Sequence, residues 1–138
     1  MRRQDTGTGT KPNHESPVSE LSKLQDAVIA FRDARDWEQF HTLKNLAAGL
    51  AIEAGELQEL LLWKSDDQAE EFLSGQGRES FEEELADCMI FILYLAKSQD
   101  IDLSEAVLSK LKKNEAKYPV EQARGRSDKY TAYQNDKG

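Results

Sequence analysis

A single cysteine, Cys88, in 138 residues excludes an intrachain disulfide. With no oxidative bridge to maintain, a reducing, cytoplasmic setting is the expectation. Long hydrophobic runs are also missing. The longest, Cys88 to Ala96, is far short of the ~20 residues that a membrane span requires. The first residues, MRRQDTGTGTKPNHESP, lack the apolar centre of a secretion signal. Basic residues are outnumbered, 18 Lys and Arg against 26 Asp and Glu, so sequence-independent binding to a nucleic acid polymer is disfavoured. A small polyanion is still permitted, because bound cations can invert a local field. Segments of strand period are absent as well, which leaves an all-α fold.

The chain is long enough for one domain with a real core. Residues 1–15 read as a disordered leader or an appended, non-native segment, 16–133 as the folded domain and 134–138 as a flexible tail. A first helix is expected from Ser16-Pro17, carrying Leu21, Leu24, Val28 and Phe31 at helical spacing and fading near Arg35-Asp36. A second should run from about Thr42 to Trp63, stopped by Lys64-Ser-Asp-Asp67. A short piece over 68–73 precedes Gly75-Gln-Gly77. Ser80-Phe-Glu-Glu83 has the form of a capping box opening a third helix to about Gln99. Asp102-Leu-Ser-Glu105 opens a fourth that stops before Pro119. The tail beyond Val120 shows no helical stripe. These elements predict a bundle of four main helices, and the oily middle of the third suits contact with a second subunit.

The conspicuous chemistry is acidic. Glu53 and Glu56 sit three residues apart on the apolar stripe of the second helix, with Leu46, Leu50, Leu57 and Leu60. Glu84 and Asp87 repeat that spacing on the third, on the stripe of Phe91 and Tyr94. Apolar stripes pack inward, and buried like charges cannot all stay ionised unpaired. A hard divalent cation resolves the conflict: Mg²⁺, with Mn²⁺ as the other candidate, takes carboxylate oxygens and keeps sites for water or phosphate. The bland alternative is that the acids form solvated helix faces. A di-iron bundle would need a Glu-x-x-His pair on each of two helices. With His14 and His41 the only histidines, that alternative is weak.

Glu53-Ala-Gly-Glu56 followed after 27 residues by Glu84-Leu-Ala-Asp87 resembles the E-x-x-E…E-x-x-D pattern of MazG-like nucleoside triphosphate pyrophosphohydrolases. RDWEQFH (35–41), KNLA (44–47), LLWK (61–64), LSKL (108–111), N-x-x-K-YP (114–119) and RG-x-x-x-KY (124–130) look like the dCTP pyrophosphatase branch. The resemblance covers roughly residues 20–133. It implies an all-α, Mg²⁺-dependent homo-oligomer, a dimer or a dimer of dimers (homotetramer). Such an enzyme cleaves a nucleoside triphosphate between the α and β phosphates, in nucleotide-pool housecleaning. It further implies Glu53, Glu56, Glu84 and Asp87 as metal ligands and catalytic residues, and Trp37 and Trp63 as walls of a base pocket. An indole face can stack on a pyrimidine, although an arbitrary tryptophan more often packs a core or an interface.

Phe91, one turn beyond Asp87, is placed beside the base, where that branch is expected to carry tyrosine; Val28 stands where a histidine is expected. Lys44, Asn45, Asn114, Lys117, Lys129 and Tyr130 match polar positions of the family and are candidates to reach phosphate, sugar or base. Of these, Asn114 can both donate to and accept from a pyrimidine edge. His41 is a further substrate-binding candidate, against a structural or capping role. The expected function is hydrolysis of a pyrimidine deoxynucleotide, dCTP or a C5-modified form favoured, with dUTP and dTTP unranked. The competing reading is a helical nucleotide-binding or regulatory module that has lost turnover; the intact acid quartet favours the enzyme.

Overall fold

The computed structural model describes residues 19–134, and these are all helical apart from their connections. The expected leader over 1–15, the helix start at Ser16-Pro17 and all of the tail but Gln134 lie outside the described residues. Helix α1 (Glu20–Asp33) is capped by Ser19, whose side chain accepts from the Ser22 N–H at 3.2 Å. A single 3₁₀ turn, Glu38–Phe40, leads to α2 (Leu43–Glu59). Thr42 caps α2 by accepting from the Asn45 N–H at 3.2 Å.

Three boundaries differ from the sequence expectation. Helix α2 ends at Glu59 rather than Trp63. The chain there tightens into i→i+3 bonds, and Trp63 adopts a φ of 64°, a conformation that helices do not continue through. The expected stop at Ser65 is instead the start of α3 (Asp66–Ser74), closed by a reciprocal Ser65–Gln68 capping box. Helix α4 (Arg78–Ser98) begins ahead of Ser80, so the box expected over 80–83 falls inside it. The Gly77 N–H donates to the Phe72 carbonyl at 2.9 Å, and a Cβ on Gly77 would overlap the Phe72 ring. That glycine-dependent turn launches the helix before any side-chain cap is needed.

Helix α5 (Leu103–Lys117) starts as expected, with Asp102 accepting from the Glu105 N–H at 3.0 Å, and ends ahead of Pro119. Beyond it, where the sequence shows no helical stripe, the chain forms two short helices, α6 (Val120–Ala123) and α7 (Tyr130–Gln134). Tertiary packing supports them: Tyr118 meets Tyr130 and Tyr133 edge-on at centroid distances of 6.3 and 6.0 Å.

Helix α4 is the centre of the molecule, packed most extensively on α2, then on α1 and α3. Gln25 of α1 donates to the Leu93 carbonyl at 3.2 Å, and the Tyr94 hydroxyl donates to the Val28 carbonyl at 3.3 Å. Leu46, Leu93, Tyr94, Ala96 and Tyr133 are the buried apolar residues. Many others stand exposed, among them Ile52, Leu62 and Leu85, and on α5 Val107, Leu108 and Leu111. No helix among the described residues is long and apolar enough to cross a membrane.

The two capping patterns should separate in stability measurements. Asp102→Ala removes a formed cap and should cost ~0.5–2 kcal/mol. Ser80→Ala, on an exposed helical position, should stay within about 0.5 kcal/mol of wild type. Urea denaturation followed by CD distinguishes them; equal losses would restore Ser80 as a cap.

Candidate active site

Helices α2 and α4 run antiparallel, and their separation is set where Gly49 faces Phe91. A Cβ at position 49 would run into the Phe91 ring, so only glycine lets the helices come this close. One turn along each helix, Glu53 from α2 meets Glu84 and Asp87 from α4. One carboxylate oxygen from each lies within 4.8 Å of the other two. Glu53 Oε2 and Glu84 Oε2 are shut off from solvent and have no hydrogen-bond partner.

Burial, then the close carboxyl of Glu84, then Glu56, push the Glu53 pKa up to about 7. The pKa of Glu84 is also raised, first by burial. Cys88, half-buried beside them, is raised by burial and by the charges of Glu53, Glu84 and Asp87. Glu53, Glu84 and Asp87 form the tightest group, and the more exposed Glu56 carboxyl lies beside it, close enough to act on both Glu53 and Glu84. The donor set is all oxygen, and two of its atoms are buried without a partner. It fits a hard divalent cation.

Asp87 also lines a cavity of about 430 Å³, with Ala27, Val28, Phe31, Trp37, His41, Ile90, Phe91 and Tyr94. The walls come from α1, the 3₁₀ segment and α4. Phe91 and Tyr94 follow Asp87 at helical spacing, and their rings meet at 6.3 Å. His41 lies edge-on to Tyr94 at 4.6 Å. Burial and then the Arg32 charge lower the His41 pKa from its ordinary value, against Glu38. The Tyr94 hydroxyl is committed to Val28, leaving His41, Asp87 and the Trp37 indole N–H as the polar groups of an otherwise apolar wall.

Trp37, His41 and Phe91 are thus gathered beside the acids, whereas the other candidates are elsewhere in the chain. Trp63 is 92% exposed and lines a separate surface hollow with Leu62, Lys64 and Phe72. Asn45 donates its side-chain amide to the Phe40 carbonyl at 3.0 Å, a structural bond. Lys44 and Lys129 are exposed and Asn114 is half-buried on α5. Lys117 sits over the Tyr130 ring at 4.9 Å. None of these lines the cavity. Phe31 and Tyr94 were not singled out from sequence as cavity walls. Their spacing from Val28 and Phe91, three residues each, was the available signal.

The MazG-like family model matches residues 49–132, more than half of the chain. dCTP pyrophosphatase 1 from Mus musculus is 38% identical over 129 residues, covering 93% of this chain and 76% of that protein. The Homo sapiens protein of the same name is 41% identical over 117 residues, covering 84% and 69%. A crystal structure of a pyrophosphatase from Archaeoglobus fulgidus superposes with a TM-score of 0.69 at 41% identity, covering 73% of this chain and 94% of that one. The chain belongs to the MazG-like family, and it is a hydrolase.

The acid trio makes the stability of the metal-free protein pH-dependent. Glu53 ionises near 4.5 when solvated and about 7 when folded. Its stabilising contribution is therefore complete below the lower value and lost as pH rises through the upper. The melting temperature of chelator-treated protein should fall between pH 5 and pH 8 (on the order of the two pKa values). A divalent cation added at pH 8 should raise it again, and Glu53→Gln should flatten the profile. A flat profile in the unmutated chain would contradict the crowding of these acids.

Proposed function

We propose that this chain is a Mg²⁺-dependent nucleoside triphosphate pyrophosphohydrolase. Its substrate is a pyrimidine deoxynucleotide, with dCTP or a C5-modified form favoured, and its products are the monophosphate and pyrophosphate. The observation that carries the reading is the trio Glu53, Glu84 and Asp87, with its two sealed carboxylate oxygens, opening on an aromatic cavity through Asp87. Similarity to proteins named dCTP pyrophosphatase supports the substrate class.

Glu53, Glu84 and Asp87 would hold the cation, which when bound supplies the charge that binds phosphate oxygens and stabilises the leaving pyrophosphate. Glu56, exposed beside them, would join as a fourth ligand on the solvent side. Trp37 offers an indole face for the base, with Phe91 and His41 beside it. Trp63 points outward from a half-turn at positive φ, so it would reach a base only across a subunit boundary. Lys44, Asn114, Lys117, Lys129 and Tyr130 likewise lie outside the cavity lining and would also act across such a boundary. The apolar surface left on α5 and on Ile52, Leu62 and Leu85 supports a homo-oligomer, a dimer or a dimer of dimers.

A panel of nucleotides incubated with Mg²⁺ or Mn²⁺ and resolved by product chromatography tests the reaction. Monophosphate and pyrophosphate are expected from a pyrimidine deoxynucleotide; diphosphate with orthophosphate as primary products would overturn the bond assignment. Glu53→Gln and Asp87→Asn should each reduce turnover by at least ~10²-fold with the helical CD signal retained. Full activity in both would return the acids to a solvated face.

Trp37→Ala should act differently, because stacking is made in ground and transition states alike. Loss of a stack worth ~1–3 kcal/mol corresponds to about a 5- to 150-fold rise in KM with little change in kcat. An unchanged KM would make Trp37 a packing residue.

A further inference from the structure

The wall that carries Trp37 hangs on a short connection, and one largely covered cation grips that connection at several points. Arg32, near the end of α1, has a side chain only 11% exposed. Its Nε and Nη2 donate to Asp33 Oδ1 at 2.9 and 2.8 Å, and Nη2 lies 3.6 Å from Glu38 Oε2. Its backbone carbonyl accepts the Trp37 N–H at 3.2 Å. One residue therefore holds the end of α1, the tryptophan peptide and the residue after the tryptophan.

The rest of the connection is set to depend on that grip. Asp36, immediately before Trp37, turns the chain at a φ of 51°, a left-handed conformation that aspartate tolerates better than most side chains. The Gln39 amide donates to the Asp36 carbonyl at 2.9 Å and to its carboxylate at 3.1 Å. The Trp37 ring stands edge-on to Phe31 at 5.8 Å, and the Arg35 guanidinium lies over Phe31 at 3.7 Å. The indole thus has a fixed partner on α1, and the segment carrying it is tied to α1 by Arg32.

The geometry points to Arg32 as a positioning residue that sets the Trp37 wall of the cavity, and so controls affinity for the base without touching the substrate. This rests on the proposed role of Trp37 as a base contact. A planar guanidinium can bridge two carboxylates, one on each side of the tryptophan; an ammonium at the same place cannot span both with the same geometry. Asp33 and Glu38 are themselves partly exposed. The arginine's value therefore lies in fixing direction, not in raw ion-pair energy.

The test compares Arg32→Met, Arg32→Lys and Glu38→Gln in steady-state hydrolysis of a pyrimidine deoxynucleotide with Mg²⁺. Nucleotide-free fluorescence anisotropy is measured alongside in a Trp63→Phe background, where Trp37 is the remaining tryptophan. Arg32→Met should raise KM by about 5- to 20-fold, part of the stacking contribution, keep kcat within about twofold, and lower the Trp37 anisotropy. Arg32→Lys should fall between it and wild type. Glu38→Gln should show the same pattern more weakly, and it decides the matter if Arg32→Met does not fold.

A lowered melting temperature with KM and anisotropy unchanged would make Arg32 a structural residue only and overturn the proposal, as would a fall in kcat at constant KM. If Trp37→Ala itself leaves KM unchanged while the Arg32 variants lower the anisotropy, the base-contact reading fails and the grip on Trp37 stands. If Trp37→Ala raises KM and no Arg32 or Glu38 variant does, only the present inference fails.

Discussion

The contact between the backbone of Gly49 and the ring of Phe91 sets the distance between α2 and α4, and nearly everything else of consequence follows from that distance. At this separation Glu53 meets Glu84 and Asp87 closely enough to share a cation. The same ring then continues as a wall of the adjoining cavity. A larger residue at position 49 would part the helices or drive Phe91 into the cavity. Either movement would disturb acids and cavity together, because both are read off the same pair of helices.

The molecule tolerates this crowding of charge because α4 is anchored elsewhere. Leu93, Tyr94 and Ala96, toward its other end, are buried. Two side-chain bonds, from Gln25 to Leu93 and from Tyr94 to Val28, tie it to α1. Packing thus holds one half of the helix while the other half presents carboxylates whose mutual repulsion opposes the fold. Stability and chemistry are divided along one element, and the division falls between Asp87 and Leu93. Functional sites commonly break local rules in this way and are supported from outside.

Much of this was legible in sequence. The two acid pairs declare themselves because carboxylates on apolar stripes contradict the burial pattern around them. Thr42 and Asp102 cap their helices as their positions suggest, and Pro119 lies just beyond the end of α5. The misreadings have a common cause, which is that a local pattern cannot reveal what tertiary contact will do. Ser80 and Glu83 have the spacing of a capping box, but the Phe72 ring over Gly77 starts the helix earlier. Tyr118, Tyr130 and Tyr133 hold short helices together in a segment with no amphipathic period. Arg32 drew no attention in the sequence, because its bonds to Asp33, to the Trp37 peptide and toward Glu38 exist only in the folded connection.

Asp87 belongs to two places at once, the carboxylate trio and the cavity lining. A cation drawn to the trio changes the charge that the cavity presents, and an occupant of the cavity changes the field that the trio presents. Thermodynamic linkage makes these effects reciprocal: whatever factor a bound nucleotide adds to cation affinity, the cation returns to nucleotide affinity. Neither dissociation constant is then a property of its own ligand alone. Each is meaningful only at a stated concentration of the other, and the free cation level of the surroundings becomes a setting for how much nucleotide the protein holds.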